Sequence, residues 1–104
     1  MDFFRLSARE IASGVAAKKW SAEAVVRSHL ERIKACDGVI NAVVTLCEES
    51  AVADARKVDA AIACGETAGP LAGVPFLAKD NFCIDGIETT CCSKMLKGWI
   101  PRYD

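Results

Sequence analysis

A chain of 104 residues is long enough for one packed domain, and 52% hydrophobic against 26% charged residues separates it from disordered sequences. Thirteen basic against fourteen acidic side chains leave a net charge of −1, so the chain is no strongly basic binder of nucleic acid or membrane surfaces. Asp2 and Arg5 sit where a signal peptide would be apolar, and no apolar run reaches the roughly 18 residues of a membrane span. A soluble, cytoplasmic protein is expected.

The first predicted element is a helix over 7–18. Ser7 followed by Glu10 has the spacing of a capping box, and Ala8, Ile11, Ala12 and Val15 fall on one face. Gly14 in its middle lowers helix propensity by about 1 kcal/mol relative to alanine. A second helix is predicted over 21–36. Ser21 caps it, Glu23 lies in the first turn, and Ala22, Val25, Val26, His29, Leu30 and Ile33 form its apolar stripe. Val39 to Leu46 is short, apolar and β-branched, as a buried strand would be. Helical spacing returns at Ala51, Ala55, Val58 and Ile62, predicting a third helix over 48–63 that stops at Gly65. After a Gly/Pro loop, residues 74–78 read as a strand with Pro75 near its start, leading into Lys79-Asp80-Asn81. Asp85-Gly86 marks a turn, and a short helix can form between Ser93 and Lys97.

Six cysteines (Cys36, Cys47, Cys64, Cys83, Cys91 and Cys92) would suit a disulfide framework in a secreted domain. Three helical segments with an aliphatic core need no such staples, so reduced thiols are expected. No C-x-x-C pair occurs, and adjacent Cys91 and Cys92 lack the further ligands that tetrahedral zinc requires, so no metal site is expected. Gly65, Gly69 and Gly73 match neither the dinucleotide fingerprint nor a phosphate loop. His29, the only histidine, lies on an apolar stripe, as a packed, hydrogen-bonded core residue would.

Lys79 directly follows five residues read as a strand, at the point where that strand opens into a loop, which is where α/β folds commonly place sites. A lysine can serve as a base only where burial lowers its pKa from about 10.4 toward neutrality. By the physics of the sequence alone, Lys79 and Asp80 read as a solvated surface ion pair.

The segment from Gly69 to Asn81 (GPLAGVPFLAKDN), followed by Gly86, Thr89-Thr90 and Ser93-Lys94-Met95-Leu96, closely resembles the amidase-signature family. The preceding segments Leu6 to Ile11, Trp20-Ser21-Ala22, Arg32-Ile33 and Ile40-Asn41-Ala42 are similar to that family's N-terminal helices, in order. The resemblance implies an α/β fold, a mixed sheet flanked by helices, of which residues 1–104 form the incomplete N-terminal part of a single domain. It also implies a relay in which a serine attacks an amide, a second serine on a cis peptide bridges to a lysine, and the lysine accepts the proton. Lys79 matches that lysine. The glycine-flanked serine segment is absent from residues 1–104, so this chain alone is expected to be inactive.

Thr89 to Leu96 and Pro101 to Asp104 are similar to the tRNA-amidotransferase branch of the family. That likeness implies release of ammonia from glutamine, partner B and C subunits, and misacylated tRNA reached through the complex. It implies no cofactor in this chain, with ATP and Mg²⁺ at the B subunit. The alternatives are another amidase-signature hydrolase acting on a free amide, and a non-catalytic interaction fragment.

Overall fold

The computed structural model describes residues 1–104, and its regular structure is helical: α1 (Ala8–Ala16), α2 (Ala22–Ile40) and α3 (Glu48–Ala63), with single 3-10 turns at Phe3–Arg5 and Lys94–Leu96. Local chemistry starts each of the first two helices where the sequence predicts. Ser7 accepts a hydrogen bond from the Glu10 amide at 3.3 Å, and the Glu10 carboxylate accepts from the Ser7 amide at 2.7 Å, completing the capping box. Ser21 accepts from the Ala24 amide at 3.0 Å.

The helix ends are equally specific. Gly65, in the left-handed region at φ 81°, donates to Ile62, and Glu66 donates to Ala61, both at 3.0 Å, which is the Schellman pair that closes α3. The same pair closes α1, with Lys18 donating to Val15 at 3.1 Å and Lys19 to Gly14 at 2.8 Å. There, however, the left-handed residue is Lys18, at φ 58°, whose Cβ makes that conformation costly. Lys18→Gly is therefore expected to stabilise the protein by about 0.5–1 kcal/mol, the relief of strain exceeding the added chain entropy. Denaturant unfolding checks this, and a lower midpoint for the variant would refute it.

The helices α2 and α3 run antiparallel. Lys34 near the end of α2 meets Glu48 at the start of α3 at 2.7 Å, and Asp59 late in α3 reaches the start of α2. The Asp59 carboxylate accepts from the amides of Ala22 at 2.7 Å and Glu23 at 3.1 Å, so α3 supplies a second, tertiary cap to α2. Phe3, Ile11, Val15, Ala22, Val25, Val26, Leu30, Val52 and Ala55 make the buried core between the three helices. The expected apolar face of α3 is only partly buried at Ala51, Val58 and Ile62, while Val52 lies deeper. Ala8 of the expected α1 face is exposed.

Neither predicted strand forms. Val39 and Ile40 complete α2, which runs through Gly38 until Asn41 turns left-handed at φ 56°. The Asp37 carboxylate then accepts from Ala42 and Val43 at 2.8 and 3.1 Å and draws the chain away from extended pairing. Residues 74–78 join no ladder, because residues 1–104 bring no second strand beside them to satisfy their backbone groups. The single bridge, Ile84 to Ile87, closes the turn at Gly86, φ 80°. The mixed sheet expected from the resemblance is thus not formed within these residues.

Gly73 docks the segment that follows α3 onto the helices. A Cβ there would lie 2.8 Å from Val15 and 3.1 Å from Ala22, and its φ of 77° favours glycine independently. Beyond it the chain is open. Phe76, Leu77 and Phe82 are 81%, 70% and 64% exposed, and the radius of gyration is 15.0 Å. A compact chain of this length would have about 13 Å.

Candidate functional site

Residues 79–104 contain no strand and no helix beyond one 3-10 turn, yet hydrogen bonds knit them together. The amide of Thr89 donates to the Trp99 carbonyl at 3.1 Å and that of Gly86 to the Pro101 carbonyl at 2.9 Å. Gly98 donates to the Glu88 carboxylate at 2.6 Å. Pro101, Thr89 and Thr90 are buried beneath these crossings, and the Trp99 and Tyr103 rings meet edge to face at 6.5 Å between centroids. Ser93 accepts from the Met95 amide at 3.2 Å and opens the predicted short turn.

Asp80 is the hub of this lobe. Its carboxylate accepts from the Thr90 amide at 2.9 Å, from the Thr90 hydroxyl in a short bond, and from the Cys92 amide at 3.4 Å. Its own carbonyl accepts from the Cys91 amide at 2.9 Å. The Thr90 hydroxyl, and after it the Thr90 and Cys92 amides, hold the Asp80 carboxyl below the usual carboxylate range, because each bond favours the charged form. Cys91 and Cys92 both take left-handed backbone conformations, φ 50° and 57°, where the loop turns back to present these amides.

Lys79 stands immediately before this hub. Its side chain is exposed and joins no ion pair or hydrogen bond, while its carbonyl accepts from the Phe82 amide at 3.0 Å. The surface ion pair expected between Lys79 and Asp80 is therefore not formed: the carboxylate is turned into the 90–92 loop, where three donors outcompete one solvated ammonium. Nor does an apolar strand shield Lys79, since Phe76 and Leu77 point to solvent.

The other candidates lie elsewhere. His29 is half-buried on α2 and donates through Nδ1 to the Val25 carbonyl at 2.8 Å, a local helical bond. All six cysteines are free, with Cys64, Cys91 and Cys92 exposed. No three His, Cys, Asp or Glu side chains converge as a metal site would require, and no helix is long and apolar enough to cross a membrane. Sequence reasoning missed Thr90 as the partner of Asp80; the two are ten residues apart, and no local pattern joins them.

Comparison with known proteins bears on this lobe and on the helices alike. The family described as Amidase matches residues 24–104. The glutamyl-tRNA(Gln) amidotransferase A subunit of Acidothermus cellulolyticus is 50% identical over 103 residues, covering 99% of this chain and 20% of that one. Its counterpart in Moorella thermoacetica is 46% identical over 104 residues, 100% of this chain and 21% of that one. This chain thus spans about a fifth of the length of these relatives. Two solved chains come from a vestigial protein complex that reveals the evolutionary origins of an s-triazine catabolic enzyme, one in an inhibitor-bound complex. Both superpose with a TM-score of 0.91 at 37% identity, over 95% of this chain and 22% of theirs. A family match over the greater part of the sequence, relatives that align along the whole of this chain, and a shared backbone agree: the chain belongs to the amidase family.

Proposed function

We propose that residues 1–104 form the N-terminal part of the glutamine-hydrolysing A subunit of a glutamyl-tRNA(Gln) or aspartyl-tRNA(Asn) amidotransferase, with Lys79 as its proton acceptor. The observation that carries this reading is the state of Lys79: its side chain is free of Asp80 and projects from a lobe whose hydrogen bonds fix the backbone at the next residue. A base must be held in place without being neutralised by a neighbouring carboxylate, whose charge would keep the amine protonated.

On this reading a serine beyond residue 104 attacks the glutamine side-chain amide, a second serine on a cis peptide passes the proton on, and Lys79 receives it. The exposed Phe76, Leu77 and Phe82 then pack against the remaining four-fifths of the domain, and residues 74–78 pair within its mixed sheet. That packing also removes water from around Lys79, as a neutral amine requires. Ammonia passes to a B subunit, where ATP and Mg²⁺ activate the misacylated tRNA, and a C subunit completes a cytoplasmic complex. The near-neutral charge of residues 1–104 leaves the RNA contacts to other surfaces.

The test is reconstitution of the full-length protein with its partner subunits. Glutamine, ATP and Mg²⁺ are expected to convert glutamyl-tRNA(Gln) to glutaminyl-tRNA(Gln), with glutamate released from glutamine. Hydrolysis of simple amides without any amidated tRNA would replace this reading with that of a free-amide hydrolase.

A further inference from the structure

We infer that Asp80 is a positioning residue for Lys79, anchoring the lysine's backbone through the 90–92 loop rather than acting on the substrate. The inference rests on the reading of Lys79 as proton acceptor and names what holds that residue in place. Between Val74 and Lys79 the backbone belongs to no element: none of the amides from 76 to 79 donates a backbone hydrogen bond, and only the Lys79 carbonyl accepts one. The upstream anchor is the docking of Gly73 and Val74 on the helices. Five residues lead from that anchor to Lys79, an extended reach of about 17 Å, so it constrains the lysine weakly. The downstream anchor is the next residue.

At Asp80 both the backbone and the side chain are held. Its carbonyl accepts from Cys91, and its carboxylate accepts from Thr90 twice and from Cys92. Thr90 is buried, and its hydroxyl, while donating to Asp80, accepts from the Cys92 amide at 3.1 Å. The loop sustains two consecutive left-handed residues, Cys91 and Cys92, a conformation that costs about 1–2 kcal/mol at each non-glycine position. The aspartate's bonds compensate that cost, so losing them would release the loop and Lys79 together. An asparagine could not substitute: it keeps one acceptor oxygen and turns an NH₂ toward donors.

The experiment compares Asp80→Asn, Thr90→Val, Thr90→Ser and Lys79→Ala in the full-length protein, measuring glutamine hydrolysis per folded enzyme across glutamine concentrations. Asp80→Asn is expected to lower kcat about 10- to 100-fold with KM changed less than about 3-fold, the signature of a misplaced reacting group. Thr90→Val should lower kcat in the same sense, and Thr90→Ser should recover most of that loss. Wild-type kcat in folded Asp80→Asn would overturn the inference. If Asp80→Asn does not fold, Thr90→Val decides: wild-type kcat there, or equal loss in Thr90→Ser, overturns it. Should Lys79→Ala keep wild-type turnover, the parent reading falls; an inactive Lys79→Ala beside a normal Asp80→Asn removes the positioning role alone.

Discussion

Both Lys79→Ala and Lys79→Arg, made in the full-length protein, are expected to lower kcat for glutamine hydrolysis by about 10³- to 10⁴-fold. That corresponds to about 4–5.5 kcal/mol of lost transition-state stabilisation. The arginine variant is the more informative. It preserves positive charge and most of the side-chain length, so it would rescue a lysine that merely attracts an anion. A guanidinium cannot give up its proton at any working pH, so it cannot receive one from the relay. Equal failure of the two variants, with circular dichroism unchanged, supports proton transfer. Retention of most of the wild-type kcat by Lys79→Arg would make Lys79 an electrostatic residue and end its assignment as base. The side chain's freedom from other bonds makes the test clean, because neither substitution breaks an ion pair or hydrogen bond within residues 1–104.

The parts of the molecule legible from sequence are those decided within a few residues. Ser7 with Glu10, Ser21 with Ala24, and Gly65 after α3 act through bonds spanning three to five positions, and all three act as expected. The strand expectations at 39–46 and 74–78 rested on β-branched and apolar composition, but a strand exists only where another strand meets it. Val39 and Ile40 instead extend α2, because the Asp37 carboxylate and the left-handed Asn41 set its end. At the candidate site, pattern and family likeness single out Lys79, while its relation to Asp80 is decided by Thr90 and Cys92, ten and twelve residues beyond the aspartate. A local reading pairs neighbouring charges by default. The folded loop offers the carboxylate better donors, and that choice leaves the lysine free.

Gly14 is where the local rule and the fold disagree most sharply, and Gly14→Ala is expected to destabilise the protein by about 2–3 kcal/mol. Helix propensity alone predicts the opposite, a gain of about 1 kcal/mol for alanine within α1. The Trp20 indole, however, lies against the space a side chain would need. A Cβ on Gly14 would stand 2.1 Å from Trp20 Cε2 and Cζ2 and 2.7 Å from Nε1, far inside van der Waals contact. The ring cannot slide away freely, since Nε1–H donates to the Ile11 carbonyl at 3.2 Å and the ring meets Phe3 edge to face at 5.4 Å. Moving it forfeits about 1 kcal/mol for the hydrogen bond and a similar amount for the aromatic pair, and it uncovers apolar area of Phe3 and α1. Those losses exceed the propensity gain. Urea unfolding of wild type and Gly14→Ala, compared at equal m-value, measures the difference. A higher midpoint for the alanine variant would mean that propensity governs this position and that Trp20 does not depend on the glycine.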